Sequence, residues 1–238
     1  LDRLLHKELS VIMPHRSPYN GVAVSPDGRW IAGVVWDYAV VIWDAQSGRK
    51  VHHLLGHSNT VEQAAFSADG KLLAITSNRR TFLWDAAKKQ VAETIDTVSG
   101  TSVAVSPDGR KFIAAEDTPV LWDRDRKRRE RYRGHVDIVR MVAFHPEGRT
   151  FASIGDDQTV RFWDVERSQA AELLPGSGGV AALSPDGALV VGAGLEQGSL
   201  VVWDAKTSAV RHTFKGLRAD RPVTAVAFVG NRRVATVN

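Results

Sequence analysis

At 238 residues, with 43% hydrophobic and 24% charged side chains, the chain has the composition of a folded protein and enough length to bury a substantial core. It contains no cysteine, which excludes disulfides, thiolate metal sites and a cysteine nucleophile; no apolar run approaches the roughly 18 residues of a membrane span. The net charge of +4 is local, because residues 124–133 hold seven bases and two acids while the remainder carries 24 bases against 25 acids.

The opening "LDRLLHKELSVIMPHRSP" lacks the long apolar stretch and small-residue cleavage site of a signal peptide. With no initiator Met, the chain is expected to begin inside a longer product, and the absence of cysteine suits a cytoplasmic location. Residues 1–13 read as the last strand of a unit, since "RLLHKELSVIMPHRSPYNGVAVSPDG" aligns with "RKVHHLLGHSNTVEQAAFSADG" and brings His15 opposite His57. Five complete units follow, at about 20–55, 60–97, 100–133, 138–174 and 179–215. Each closes an apolar run on a Trp-Asp pair, at Trp43, Trp84, Trp122, Trp163 and Trp203, spaced 41, 38, 41 and 40 residues apart. A second marker recurs in phase: "SPDG" at Ser25, "SADG" at Ser67, "SPDG" at Ser106, "HPEG" at His145 and "SPDG" at Ser184.

Within a unit the pattern is four short strands. "VRMVAF" (139–144) stops at a Pro- and Gly-bearing turn, "TFASIG" (150–155) follows, and "TVRFWD" (159–164) comes after the polar "DDQ". A fourth run, such as "VHHLL" or "VRHTF", precedes the next unit. One such sheet cannot bury both faces, so the units must stack. The chain ends with "PVTAVAFVG" and "RRVATVN", two strands of a further unit within 222–238. An open arc or weakly closed ring is expected, with unpaired edges near Val234 and Leu5; a fragment of a ring of seven or more units is preferred to a six-unit ring with a defective closing unit.

Terminal Trp-Asp, "SPDG" after the first strand, and Gly-His at Gly56-His57 and Gly134-His135 resemble the WD-repeat β-propeller family across essentially the whole chain. The resemblance implies an all-β fold of four-stranded antiparallel blades around a central channel. It also implies a buried His–Ser/Thr–Asp–Trp hydrogen-bond network in each blade. The fourth copy matches it fully with His135, Ser153, Asp157 and Trp163. The first keeps His15, Asp37 and Trp43 but has Gly33 at the hydroxyl position; the second keeps His57 and Trp84, with Asn78 for the acid and Ala74 for the hydroxyl. His135 beside Ser153 and Asp157 could pass for a hydrolase triad. The recurrence of Trp163 across the copies argues instead for a structural role.

Family members bind peptides or proteins on the narrower face near the channel mouth. The matching positions are Pro18, Asn20 and Trp36 in the first copy, Thr60, Glu62 and Ser77 in the second, and Ser99, Thr101 and Glu116 in the third. Ile138, Arg140 and Asp156 come from the fourth, and Glu196 and Thr224 from the last two. Trp36 stands out as an interface anchor. The expected function is therefore a non-catalytic scaffold for a protein or peptide, without cofactor or metal. A propeller enzyme would need inward-facing acids or histidines around one cavity, and no such set is visible.

The basic stretch 124–133, with Arg126, Lys127, Arg129, Arg131 and Arg133, reads as an outer fourth strand whose charges discourage strand addition. Tyr132 should point inward, and Arg128 should stand where other copies have Val91 or Val210. The alternative is an electrostatic dock for an acidic protein, nucleic acid or anionic membrane. Nucleic acid is disfavoured, because the stretch offers no aromatic free for stacking.

Overall fold

The structure, a computed structural model, describes residues 19–35, 39–54, 61–77, 80–97, 100–167, 170–175, 180–194, 196, 198–207, 209–216 and 223–237. Strands β1–β4 (Tyr19–Val24, Trp30–Val35, Ala39–Asp44, Lys50–Leu54) form the first antiparallel sheet in sequence order. Strands β5–β8 (Val61–Phe66, Leu72–Ser77, Arg80–Asp85, Gln90–Asp96) form the second, and β9–β12 (Val103–Val105, Lys111–Ala115, Pro119–Asp123, Arg128–Arg131) the third. The fourth is β13–β16 (Val139–Phe144, Thr150–Gly155, Thr159–Asp164, Ala170–Pro175), and the fifth β17–β20 (Ala181–Leu183, Leu189–Ala193, Leu200–Asp204, Val210–Phe214). A two-stranded sheet, β21 and β22 (Ala225–Val229, Arg233–Val237), follows. The all-β propeller architecture expected from the repeats is the architecture found; among the described residues there is no helix, so none long and apolar enough to cross a membrane.

Period-2 alternation explains why the sheets stack. Successive side chains point to opposite faces, so Ile75 packs toward the first sheet while its neighbour Ala74 packs toward the third. Five apolar layers between neighbouring sheets result among the described residues. Trp30, Val34 and Ile42 meet Val61, Leu73 and Trp84; Ala74, Leu83 and Ile95 meet Val103 and Phe112. Ile113, Leu121 and Tyr132 meet Val142, Phe151 and Trp163, while Ile154 and Phe162 meet Val190 and Trp203. Val191 and Leu200 are covered by Phe228 and Val234 of the last hairpin. First strands lie side by side, β1 beside β5, β5 beside β9 and β9 beside β13, so the sheets fan out from their inner edges.

Each Trp-Asp pair ends a third strand, and the aspartate has a local task there. Asp44 accepts from the Ser47 amide, Asp85 from Ala87 and Lys88, Asp123 from Arg126, Asp164 from Glu166 and Arg167, and Asp204 from Lys206 and Thr207. The carboxylate thus caps the turn into the fourth strand by satisfying amides that face no partner strand. At the other marker, Ser25, Ser67, Ser106 and Ser184 donate to Asp27, Asp69, Asp108 and Asp186 at 2.5–2.6 Å. Each serine Oγ also accepts the amide five residues on, which closes the turn.

These turns also nest from sheet to sheet. Gly187 adopts φ +72°, and a methyl group there would collide with the His145 imidazole and come within 2.8 Å of Pro146 Cδ. Gly187→Ala should therefore lose roughly 1–2 kcal/mol, more than the left-handed backbone alone would cost. Adding His145→Ser, the residue the other four copies carry, should recover the part due to the imidazole and leave the close approach to Pro146. Equal losses in both backgrounds, read from urea midpoints, would show that His145 is not the obstacle.

Candidate functional site

The fully matched network belongs to the fourth sheet. Trp163 Nε1 donates to Ser153 Oγ at 2.7 Å, Ser153 lies 2.7 Å from His135 Nε2, and His135 Nδ1 lies 2.9 Å from Asp157 Oδ2. One assignment satisfies every group: Ser153 donates to Nε2, and the Nδ1 proton goes to the carboxylate. Asp157 also accepts from the Thr159 hydroxyl and amide and from the Val136 amide. Burial holds the His135 imidazole below its ordinary pKa despite the neighbouring carboxylate. Burial works against the ionised form of Asp157, but the bonds from Thr159, His135 and Val136 outweigh it and keep its pKa below the usual range. Ser153 is fully buried, and its oxygen already receives the indole proton. No substrate reaches it, so the resemblance to a hydrolase triad ends there.

Elsewhere the network is partial. Register places Gly33, Ile75, Ala114 and Gly192 where Ser153 stands, each two residues past the partner of its tryptophan. Ile75, not Ala74, therefore fills the hydroxyl position of the second sheet; counting back from Trp84 misplaces it because the β6–β7 hairpin is one residue shorter. Among the described residues, the buried indole N–H groups of Trp84 and Trp122 have no acceptor. Trp43 is buried in the first sheet, whereas His15, Asp37, His57 and Asn78 lie outside the described residues.

On the channel-mouth face, Pro18, Trp36, Thr60 and Ser99 also lie outside the described residues, as does the side chain of Asn20. Arg140 and Asp156 are brought together: Nε lies 2.9 Å from both carboxylate oxygens and Nη2 2.5 Å from Oδ2. The contact raises the arginine pKa and lowers that of the aspartate. Glu196 pairs with Lys215 at 2.9 Å, while Glu62 and Thr224 are exposed and Ile138 is 44% exposed. Thr101 donates to the Val139 carbonyl at 2.8 Å, tying the third sheet to the fourth.

Two residues expected on that face do not present themselves there. Ser77 is buried and donates to the Arg80 carbonyl within its own hairpin. Glu116 is 2% exposed, because its side chain folds across β11 toward β12, 3.5 Å from Arg131 Nη2 and 3.9 Å from Arg129 Nη2. The third-sheet turn there is a tight three-residue bend, and two guanidiniums make burial of the carboxylate tolerable.

The basic stretch also differs from a continuous strand. Only Arg128–Arg131 form β12; residues 124–127 make the capped turn, with Lys127 at φ +49°. Arg129, not Arg128, faces Trp122 and so occupies the position of Val91 and Val210. This strand lacks the one-residue bulge that the other four sheets carry beside their tryptophan. The Arg129 guanidinium sits over the Trp122 ring at 5.7 Å. Charges around it are largely answered: Arg124 by Glu93, Arg126 by Asp123 and Glu166, Arg128 by Glu130, and Arg129 and Arg131 by Glu116. Tyr132 is fully buried and donates to the Val165 carbonyl at 2.7 Å.

The family model for the WD domain, G-beta repeat, matches residues 6–44, 48–85 and 126–164. The chain belongs to the WD-repeat family. Among curated WD-repeat relatives, the nuclear distribution protein nudF of Aspergillus niger is 29% identical over 168 residues, 70% of this chain and 33% of its own length. Transducin beta-like protein 3 of Bos taurus is 30% identical over 182 residues, 72% of this chain and 22% of its own. A WD repeat-containing protein of Synechocystis is 34% identical over 110 residues, 43% of this chain and 31% of its own. This WD-repeat chain thus spans a third or less of the length of these relatives.

Proposed function

We propose that this WD-repeat chain is a non-catalytic scaffold that holds a protein or peptide on its channel-mouth face. The observation that carries the reading is the state of the Ser153–His135–Asp157 set. Its hydroxyl is sealed from solvent and committed to Trp163, so the arrangement most like a catalytic one acts as a brace. A cysteine-free cytoplasmic setting suits such a role, and the family's relatives support it. Trp36 is the anchor we assign to the first repeat on that face, together with Pro18 and Asn20 of the same repeat and Thr60 and Glu62 of the second. The competing reading, a charge-driven adaptor using the basic stretch, is weakened because five of its seven cations already face carboxylates.

The test uses peptides selected from a phage-displayed random library against the full chain. Carbene footprinting of the complex, read by mass spectrometry, should show protection at the turns and loops around residues 62, 116–118, 136–140, 156, 196 and 224. Protection confined to residues 124–133 would overturn the reading in favour of the adaptor.

A further inference from the structure

Resting on the face-binding reading, we infer that the cleft between the third and fourth sheets on that face docks a peptide segment pairing a Lys or Arg with an aliphatic side chain. The cleft is lined by Asp117 and Thr118 of the β10–β11 turn and by His135, Val136, Asp137 and Ile138 of the loop entering β13. Val136 is 86% exposed, the most of any large apolar side chain among the described residues, and Ile138 is 44% exposed. Two neighbouring exposed aliphatics on one loop offer apolar surface for a partner to cover.

Charge states the partner's chemistry. Asp117 is exposed and makes no hydrogen bond or ion pair with any described residue. Asp137 accepts only the amide of Ile138, at 2.8 Å. Arg140, which also feels the charge of Asp137, is hydrogen-bonded and ion-paired to Asp156, so that pair adds no net charge. His135 stays neutral inside its network. Among the described residues neither carboxylate has an ion pair of its own; both flank the aliphatic pair, and a cationic side chain with an apolar neighbour answers both.

The loop is also held ready. Asp157 accepts the Val136 amide at 3.2 Å, and the Ile138 carbonyl accepts the Asp156 amide at 2.8 Å. The buried network therefore fixes the segment that presents Val136, which lowers the ordering cost of binding.

The library selection on the full chain tests this directly. Selected peptides should be enriched in Lys or Arg next to Leu, Ile or Val. Val136→Ser and the double variant Asp117→Asn/Asp137→Asn should each weaken them about tenfold, with thermal melting unchanged because all three side chains are exposed. Raising NaCl should weaken binding to wild type more than to the double variant. Peptides without basic bias, or basic peptides indifferent to these variants, would overturn the cleft. If such peptides footprint elsewhere on the face, the face reading survives; if they footprint on the outer rim, or if none is enriched, both fail.

Discussion

Replacing Tyr132 by alanine should lower the unfolding free energy by about 3–5 kcal/mol, read as a fall in the denaturant midpoint with little change in slope. The ring is wholly buried, meets Phe151 edge-on at 4.8 Å and Trp163 edge-on at 5.6 Å, and its hydroxyl reaches the Val165 carbonyl of the next sheet. Tyr132→Phe keeps the packing and strands that carbonyl, so it should cost about 1 kcal/mol. The contrast matters because its neighbours on the outer strand, Arg128 to Arg131, are charged. Tyr132 therefore supplies the strand's apolar anchor. An alanine variant within about 1 kcal/mol of wild type would show that the third and fourth sheets are joined by other means.

Asp157→Ala should cost about 3 kcal/mol. It removes the acceptor for the His135 Nδ1 proton, the Thr159 hydroxyl and amide, and the Val136 amide, in a site with no water-exposed substitute. The same network gives stability an acid dependence whose sign follows from His135. The unfolded chain takes up the imidazole proton near 6.5, whereas burial holds the folded pKa lower. Between those two points the unfolded state binds more protons, so stability falls as pH drops below about 6.5. Asp157, whose folded pKa is also depressed, adds a second loss below about 3.8. Urea midpoints at successive pH values should show the first loss in wild type and a shallower slope in His135→Asn. An identical slope in both would mean that another group carries it.

The phase of the Trp-Asp and Ser-x-Asp-Gly markers made the strand plan legible, because each marks a turn whose side-chain hydrogen bonds are made within a few residues. Asp123 capping the Arg126 amide and Ser106 bonding Asp108 are contacts a local stretch specifies without help. The inward position of Tyr132 was equally readable, since alternation along a strand is a property of the backbone. Glu116 shows where such reading stops. Its place in a turn is local, but its direction was decided by Arg129 and Arg131 on a strand two positions away in the sheet. Ile75 makes the same point for register: one residue fewer in a hairpin shifts which side chain meets Trp84, and counting from the tryptophan cannot see it.

Sequence alone determined the repeat, the four-stranded units, the capped turns and the alternating apolar faces, because each depends on residues within about ten positions of one another. Only the tertiary structure decided which charges are answered. It turned Glu116 inward, spread the basic stretch over a turn and a short strand among carboxylates from three sheets, and left Asp117 and Asp137 beside Val136 with no ion pair among the described residues. Electrostatic neighbours act through space, and the stacking of sheets joins residues some 40 positions apart, a separation no local pattern encodes.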